Sequence, residues 1–545
     1  MKSKWPKYLF ILVLIGIVIF AYFKIKGEEE IKKQQEYSSS SQNEEKIKEI
    51  TIGIAQFDTI NPIISNNKNV QSISRLIYEP LVNLTKDYKP EAALAKEWAK
   101  QDEKTYIIKI RDDVKWSNGS KFTSEDVRFT IDKIKTDENV TSIYAYNVQY
   151  VSGVDIVDDY TLNIHLSQEV PFFEYYLTFP ILSKDYYEGE DFSNTNKNLN
   201  PVGTGKYKIV NAETSYITLE KNDNWWNSKN IGLSLEKINI NLYSSVGELY
   251  NSFKTGNIDL LATDNSNFND YIGTIGYNLK EVRGREHIFL ALNTTSNILS
   301  DLTVRKAIAE SIDKTGITSN VYGNKYYTCN FPLEYGSWLY NSSKNSNINY
   351  NLEQAKQELV DNGWSYKNQS WQKYLNNKTQ KISLNFVVKA SDESKKAVAE
   401  NIKTQLENQG IRINLIYASD TQYESYLQNK NYDIILCSNY LGISPDMTTF
   451  FGEGNLANYS NEEITQIMNE VKNTTDEKIL KEKYEKEQKK QRKKEPDDVS
   501  GIRSLHGARN TGKGNGSFKK RGDGGGENRD CVGCVREDRC IRVGR

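Results

Sequence analysis

The stretch TYIIKIRDDVKWSNGSKFTSEDV, residues 105–127, decides the local fold of this chain. Its first part places Tyr106, Ile108 and Ile110 at alternate positions, which is typical of a strand with one face more buried than the other. Asn118-Gly119 then predicts a turn, because this pair tolerates a positive φ. A strand followed by a tight turn is therefore expected before residue 120.

A helix is predicted directly after this turn. Thr123 can act as its N-cap, and Glu125 and Asp126 lie in the first turn, where the helix dipole favours negative charge. Three apolar residues recur at helical spacing and share one face, namely Val127, Ile131 and Ile134. Strand, turn and helix together indicate a mixed fold, α/β or α+β, and carry no information on function.

The length and charge of the chain exclude some classes of protein. At 545 residues the chain is longer than a single hydrophobic core supports, so two or more domains are expected. Its 71 lysines and arginines balance 72 aspartates and glutamates, so no nucleic-acid partner is predicted. The 35 tyrosines and 8 tryptophans fit either a core or a site that binds a ligand by stacking.

The N-terminus carries a membrane-targeting segment. Three lysines precede an apolar run over residues 8–23, which as a helix covers roughly 24 Å, short of the roughly 30 Å of a bilayer core. This run also suits a signal peptide, but no small-residue cleavage site follows it. We therefore expect residues 1–26 to form an uncleaved single-pass anchor and residues 27–49 a tether, with the rest on the extracellular face of the cell membrane.

The C-terminal end differs sharply in composition from the rest of the chain. The last 59 residues hold nine of the arginines, 11 of the 33 glycines and three of the five cysteines, but no tyrosine. Four interpretations stay open: a basic tail for nucleic acid, a metal site from Cys531-x-x-Cys534, Cys540 and His506, a disordered tail, and a changed reading frame. The last fits best, and we expect residues 488–545 to be disordered and out of frame.

Several motifs around the opening stretch resemble those of one protein family. They read LIYEPLV at 76–82, LAKEW at 94–98, WSNG at 116–119 and FTSEDV at 122–127. Their order resembles the extracytoplasmic solute-binding proteins of family 5, which bind ligands for peptide ABC importers and catalyse nothing. The resemblance runs from about residue 50 to residue 487 and continues through Asn224-Trp225-Trp226 and the segment 301–308.

The resemblance implies a two-lobed, type II periplasmic-binding-protein-like fold after the N-terminal transmembrane helix. It places lobe one at residues 50–290, with an extra subdomain at about 77–200. Lobe two is expected at 291–458, and a return helix to lobe one at 459–487.

The residue pattern of lobe two independently predicts alternating helices and strands. Helices are expected over 352–364 and about 395–408, and strands over 382–388, 411–415 and 432–436. A strand, helix and strand in this order with a right-handed crossover indicate an α/β lobe. From Glu462 one further helix is expected to continue to about Lys490, with one apolar face.

No constellation in the sequence indicates catalysis. Asn200–Tyr207 contains Gly203 and Gly205, but lacks the Gly-Lys-Ser/Thr spacing of a phosphate loop, so a structural turn is expected. The three histidines lie far apart, and neither a nucleophile elbow nor a zinc-protease motif occurs. We therefore expect no enzyme, no cofactor and no bound metal. A surface enzyme and a structural or adhesion protein remain as alternatives.

The resemblance also nominates ligand-binding residues. In the family, the ligand lies between the lobes, and extended peptides are held mainly by main-chain partners, as in an added strand. Carried onto this chain, seven residues are nominated from the first loop, the subdomain and the segment after residue 432: Asn66, Asn67, Tyr144, Tyr146, Ser438, Asn439 and Tyr440. The asparagines could equally be turn residues, and the tyrosines could be core residues.

One departure from the family concerns the ligand's amino group. Peptide-binding relatives often place an aspartate a few residues before the proline that corresponds to Pro445, but this chain has Leu441 there. A buried ammonium without a counter-charge is costly. The expected partners are therefore a peptide or another small solute, such as a nickel chelate, a sugar or an opine, together with the permease subunits of an ABC transporter. The protein itself is expected to be a monomer.

Overall fold

The computed structural model describes residues 48–136, 142–263, 277–280, 284–341, 349–375, 377–472, 474, 476–490, 502–507 and 540–543. The described residues from 50 onwards belong to one compact unit. The predicted membrane anchor, residues 1–26, and nearly all of the predicted tether lie outside the described residues. Within the described part of the chain, no helix combines the length and the apolar character needed to cross a membrane.

The strands and helices are numbered here in chain order. The strands are β1 Glu49–Ala55, β2 Val82–Leu84, β3 Pro90–Ala92, β4 Ala95–Asp102, β5 Thr105–Ile110, β6 Val151–Asp158, β7 Thr161–Leu166, β8 Tyr207–Ala212, β9 Tyr216–Lys221, β10 Lys237–Tyr243, β11 Leu260–Thr263, β12 Asn278–Lys280, β13 Glu286–Leu292, β14 Tyr326–Thr328, β15 Ser365–Lys367, β16 Ser370–Leu375, β17 Lys378–Lys381, β18 Ser383–Lys389, β19 Arg412–Ala418, β20 Ile434–Tyr440, β21 Ile502–Gly507 and β22 Cys540–Val543. The α-helices are α1 Lys68–Ile77, α2 Ser124–Thr136, α3 Ala145–Val148, α4 Lys184–Tyr187, α5 Val246–Lys254, α6 Leu302–Glu310, α7 Lys314–Tyr322, α8 Leu352–Asp361, α9 Glu393–Asn408, α10 Asp420–Asn429, α11 Thr448–Phe451, α12 Glu462–Lys472 and α13 Glu477–Lys490. Short 3₁₀ helices span Phe173–Leu177 and Asn196–Asn198.

Two large sheets organise the chain into two parts. One part, called lobe one below, is built on a seven-stranded sheet of order β12-β22-β11-β1-β10-β9-β8. The other part, called lobe two, is built on a six-stranded sheet of order β14-β21-β13-β20-β18-β19. The mixed α/β architecture therefore agrees with the expected fold class. The predicted boundaries between lobes, subdomain and return segment stay a prediction.

The subdomain of lobe one contains the opening stretch of the sequence. Its four-stranded sheet has the order β4-β5-β7-β6, and the predicted strand is β5, in which Tyr106, Ile108 and Ile110 are buried. The predicted turn is also confirmed, because Gly119 has a φ of 92°. Helix α2 follows with its three predicted apolar residues buried, and the carboxylate of Asp126 accepts a hydrogen bond from the backbone N–H of Thr123 at 2.8 Å.

The glycines of residues 200–207 have a structural role. The backbone N–H of Gly205 donates to the carbonyl of Ile77 at 2.8 Å. A Cβ atom on Gly203 would lie 1.9 Å from that same carbonyl oxygen, a separation no side chain tolerates. The loop therefore needs glycine in order to pack against the end of α1, as the interpretation as a structural turn predicts.

Lobe two follows its predicted pattern closely. Strands β18 and β19 are parallel, and α9 connects them. Helix α8 ends at Asp361 and is followed by Gly363 with a φ of 83°, as the Asn-Gly pair predicts. Asp301 is the N-cap of α6 and accepts from the N–H of Thr303 at 2.9 Å.

The predicted single return helix is wrong. The segment contains two helices, α12 and α13, which are separated by residues 473–476. Asp476 accepts hydrogen bonds from the N–H groups of Lys478 and Ile479 at 2.9 and 3.0 Å, so its side chain starts the second helix. Short polar side chains of this kind compete with the helical backbone and favour helix starts, and that effect overrides the continuous apolar period.

The prediction of a wholly disordered tail is also wrong for the residues that the structure describes. Strand β21 pairs antiparallel with β13 and β14 in lobe two, and β22 pairs antiparallel with β11 and β12 in lobe one. Ladder hydrogen bonds use backbone groups, so short segments can pair despite the unusual composition around them. Cys531 and Cys534 lie outside the described residues, while His506 and Cys540 belong to different sheets. The changed reading frame stays a prediction.

A hydrophobic cluster lies where the two lobes meet. It contains Phe172 and Tyr175 from lobe one, Phe331 and Met447 from lobe two, and Tyr484 from α13. The hydroxyl of Tyr484 donates to the carbonyl of Pro445 at 2.5 Å. This packing holds the segment 439–450 beside the 3₁₀ helix Phe173–Leu177 of lobe one. The cavity described below lies between those two segments.

Candidate functional site

A cavity of about 700 Å³ lies between the lobes. Lobe one lines it with residues from 66–75, 143–147 and 175–178. Lobe two lines it with residues from 332–334 and 439–450, and Arg285 lies where the chain passes from one lobe to the other. This volume is within the roughly 300–1,000 Å³ of typical small-molecule sites.

Five of the seven nominated residues line this cavity, namely Asn66, Tyr144, Tyr146, Asn439 and Tyr440. The structure therefore brings together the first loop, the subdomain and the end of β20, which lie far apart in sequence. Ligand binding by these residues stays a prediction.

The other two nominated residues, Asn67 and Ser438, do not line the cavity. Asn67 is the N-cap of α1, and its side-chain oxygen accepts from the N–H of Asn69 at 2.8 Å. Its amide nitrogen donates to the carbonyl of Gln56, so both ends of the side chain serve the local fold. Ser438 lies one position before Asn439 on β20 and is not among the residues that line the cavity.

Tyrosines form much of the lobe-one wall and are held in place by hydrogen bonds. Tyr144 donates its hydroxyl to Oε1 of Gln71 at 2.7 Å. The rings of Tyr146 and Tyr176 stack with centroids 5.4 Å apart, and their hydroxyl oxygens are 3.1 Å apart. Burial raises the pKa of Tyr176, so its hydroxyl stays protonated and can donate a hydrogen bond. The wall thus presents oriented aromatic surface with polar edges.

The lobe-two wall is fixed by backbone contacts at the end of β20. The N–H of Leu441 donates to the carbonyl of Arg285 at 3.0 Å, and Nη1 of Arg285 donates to the carbonyl of Leu441 at 2.8 Å. Leu441 lines the cavity as an apolar side chain, so it supplies no counter-charge. Asp446, whose orientation the sequence left open, also lines the cavity.

The charged side chains of the cavity come from positions that the family resemblance did not nominate. Lys68 and Arg75 lie on α1, Glu334 and Asp446 belong to lobe two, and Arg285 lies between the lobes. Glu334 is 2% exposed, which is unusual for a carboxylate. The spacing of Lys68, Gln71, Ser72 and Arg75 marks them as one helix face, but periodicity alone does not tell which face meets the cavity.

Tyr175 and Tyr176 were also missed, although the run Phe172 to Tyr176 carries four aromatic residues and could have been found. Among the described residues, no group of three or more His, Cys, Asp or Glu side chains is arranged to hold a metal ion.

Comparison with solved structures gives the same architecture. A periplasmic murein tripeptide-binding protein, MppA, in its unliganded open form, aligns with a TM-score of 0.70 at 18% identity, covering 85% of this chain and 92% of that one. HbpA2 from Haemophilus parasuis aligns with a TM-score of 0.69 at 18% identity, covering 91% and 96%. These likenesses support the fold.

Comparison with known sequences identifies relatives over much of the length. The oligopeptide-binding protein OppA of Bacillus subtilis is 26% identical over 349 residues, which cover 59% of this chain and 61% of that protein. The periplasmic oligopeptide-binding protein OppA of Escherichia coli is 24% identical over 453 residues, covering 74% and 78%. The nickel-binding periplasmic protein of Escherichia coli is 26% identical over 353 residues, covering 63% and 66%.

The chain also matches a sequence model of a protein family. Residues 89–461, more than half of the chain, match the model described as bacterial extracellular solute-binding proteins, family 5 Middle. The match contains the four-stranded sheet of the subdomain, Arg285 and nearly all of lobe two. This chain therefore belongs to the bacterial extracellular solute-binding proteins of family 5.

Proposed function

We propose that this protein captures a peptide or peptide-like ligand in the cavity between its lobes and delivers it to an ABC importer without converting it. The observation that carries this proposal is the cavity of about 700 Å³, which brings together five residues that the family resemblance nominates. The oligopeptide-binding relatives in two bacteria favour a peptide over other solutes.

Closure of the lobes is the proposed means of capture. Tyr146 of lobe one and Tyr440 of lobe two line the same cavity, and each is 64% exposed. Large aromatic side chains bind ligands by burying their rings. A ligand between the two tyrosines therefore buries the most aromatic surface when the two walls of the cavity approach each other. We expect the ligand to draw the lobes together by a hinge motion near Arg285, which directly precedes β13, the first strand of lobe two along the chain.

Binding without conversion is testable on the full-length chain. Compounds that co-purify with the protein are released by denaturation and identified by mass spectrometry. A synthetic peptide pool is then added in thermal unfolding, where ligand at a hundredfold excess over Kd stabilises the fold by roughly 2.7 kcal/mol. We expect peptides both in the released material and among the stabilising compounds.

Three other results would change the assignment. Stabilisation by a nickel chelate but by no peptide would favour the function of the nickel-binding relative. Stabilisation by a sugar or an opine alone would also remove the peptide assignment. Recovery of a stabilising compound in chemically altered form would contradict the receptor function and support a surface enzyme.

We further propose that residues 1–26 anchor the protein in the cell membrane, with the lobes on the extracellular face and residues 27–49 as a tether. The support is the apolar run over residues 8–23, which no cleavage site follows. N-terminal sequencing of protein from the membrane fraction tests this. A mature chain that starts between residues 24 and 45 would mean a cleaved signal peptide and no anchor.

A further inference from the structure

A small three-stranded sheet on lobe two carries an unbalanced positive charge. Strands β15, β16 and β17 form it in this order, within residues 365–381, and we call this segment the basic ribbon. It contains four lysines and no aspartate or glutamate, although acids and bases are balanced over the whole chain. The positive charge is therefore a local feature of the ribbon.

One face of the basic ribbon packs on lobe two. Trp371 of β16 is 4% exposed and belongs to the hydrophobic core of that lobe, and its indole N–H donates to the carbonyl of Gln409 at 2.7 Å. Lys373 lies on the same face, two positions further along the strand, and its ammonium group is 3.4 Å from Oδ2 of Asp301. The single lysine of the inward face thus has an acidic partner.

The opposite face carries Lys367, Tyr374 and Lys381. Each lysine lies across from a β16 residue that alternates with Trp371, and Tyr374 alternates with Trp371 as well. Because successive strand residues point to opposite faces, these three side chains share the outward face. All three are exposed. The outward face therefore presents one aromatic ring together with two positive charges.

Two further cations enlarge this positive surface. Lys378 of β17 is exposed, and so is Arg412, whose backbone N–H donates to the carbonyl of residue 382 directly after the ribbon. Like Lys367 and Lys381, neither makes a hydrogen bond or ion pair through its side chain with any residue in the described part of the chain. Four positive charges without a described counter-charge create a local potential that attracts anionic surfaces.

The proposed membrane anchor keeps a lipid surface within reach of the ribbon. Strand β1 begins at Glu49, at the end of the proposed tether of residues 27–49. Covalent geometry limits a segment of this length to a span of roughly 80 Å in any conformation. Tethering converts a second contact with the same membrane into an intramolecular event, so a contact that is weak by itself becomes populated.

We propose that the basic ribbon docks lobe two on the anionic lipid headgroups of the membrane to which the chain is tethered. Its ammonium groups then lie at the lipid phosphates, and the ring of Tyr374 lies at the membrane–water interface, where tyrosine is enriched. This inference rests on the proposed anchor and is independent of the ligand. Docking confines the binding protein to the plane of the membrane.

The lysines of the ribbon have one competing explanation. Strands β15 and β17 are the outer strands of their sheet, and lysines on edge strands prevent pairing with the edge of another chain. That role requires no lipid. The two explanations therefore differ in how the ribbon responds to the charge of a membrane.

The test uses the full-length chain reconstituted into vesicles of phosphatidylcholine alone or of equal parts phosphatidylcholine and phosphatidylglycerol. Flotation of the vesicles reports whether the chain is anchored. A membrane-impermeant reagent then acetylates the exposed lysines, and mass spectrometry gives the rate for each residue. Lys86 and Lys229, two exposed lysines outside the ribbon, are the internal controls. Rates are expressed relative to these controls, because an anionic surface lowers the local pH for every lysine.

We expect Lys367, Lys378 and Lys381 to react roughly fivefold or more slowly on the anionic vesicles, since each lysine near an anionic surface strengthens binding by about this factor. Salt at roughly 0.5 M should remove the difference by screening. The variant K367Q/K381Q should restore the reactivity of Lys378 on anionic vesicles, whereas the matched control K86Q/K229Q should leave Lys378 protected.

Two results overturn the docking and leave the anchor intact. In the first, the chain floats with both kinds of vesicle and the ribbon lysines react at the same relative rate on each, which supports the edge-strand explanation. In the second, the lysines are protected in native membranes but not on anionic vesicles, which assigns the ribbon to an acidic protein partner. If the chain floats with neither kind of vesicle, the proposed anchor fails, and the docking fails with it.

Discussion

Replacing Glu487 by glutamine should change how stability depends on pH. Glu487 lies in α13 and is 1% exposed, and its Oε1 has no hydrogen-bond partner in the described part of the chain. Burial raises the pKa of this carboxyl from 4.5 to about 8. The folded protein therefore holds this proton far more tightly than the unfolded chain does.

The sign and size of the effect follow from this difference in pKa. An acid with a raised folded-state pKa contributes its full stability below pH 4.5, and that contribution is lost as the pH rises towards 8. At about 1.4 kcal/mol per pKa unit, the loss has an upper limit of about 5 kcal/mol. Glutamine cannot ionise, so E487Q should match the unaltered chain near pH 5 and exceed its free energy of unfolding by about 3–5 kcal/mol at pH 9.

Urea unfolding followed by tryptophan fluorescence between pH 5 and 9 measures this difference. E482Q is the matched control, because Glu482 is an exposed residue of the same helix and the substitution makes the same chemical change from carboxyl to amide. Glu79, Glu174 and Asp126 also have raised pKa values, but they are common to all three proteins and cancel in the comparison. Parallel pH profiles for E487Q and the unaltered chain would refute the reasoning.

The remaining predictions concern the cavity and the glycine loop of residues 200–207. Tyr146→Ala should weaken ligand binding by roughly two- to tenfold, which is the value of one aromatic contact. Tyr374→Ala should leave Kd unchanged, because Tyr374 is 70% exposed and lies outside the cavity. If calorimetry finds equal effects for the two variants, Tyr146 is not part of the binding site. Gly203→Ala should lower the free energy of unfolding by about 1–3 kcal/mol or more, because its Cβ would meet the carbonyl of Ile77, whereas Gly153→Ala has open space and should cost little. Equal urea midpoints for the two alanine variants would show that the loop can shift.

Local features were predicted well because a few neighbouring residues determine them. The strand at Tyr106, the turn at Gly119 and the N-cap at Asp301 each depend on side chains within one turn or one strand. The break between α12 and α13 was missed for a related reason. Asp476 competes locally with the helix, and a continuous apolar face conceals that competition.

The candidate site was predicted only in part. Three residues that the resemblance nominated for ligand binding, Asn66, Tyr146 and Asn439, line the cavity, because family motifs locate whole segments. It could not show that Asn67, one residue further, turns its side chain to cap α1. Neighbouring residues often point in different directions, so a segment can be placed correctly while a side chain is not.

The sequence by itself determined most of the local secondary structure and the family. Only the tertiary structure decided which helix face meets the cavity, and with it the positions of Lys68 and Arg75 opposite Asp446. The hydrogen bond between Leu441 and Arg285 joins residues that lie more than 150 positions apart in the chain. Contacts of this kind depend on how distant segments pack, and periodicity carries no information about that packing.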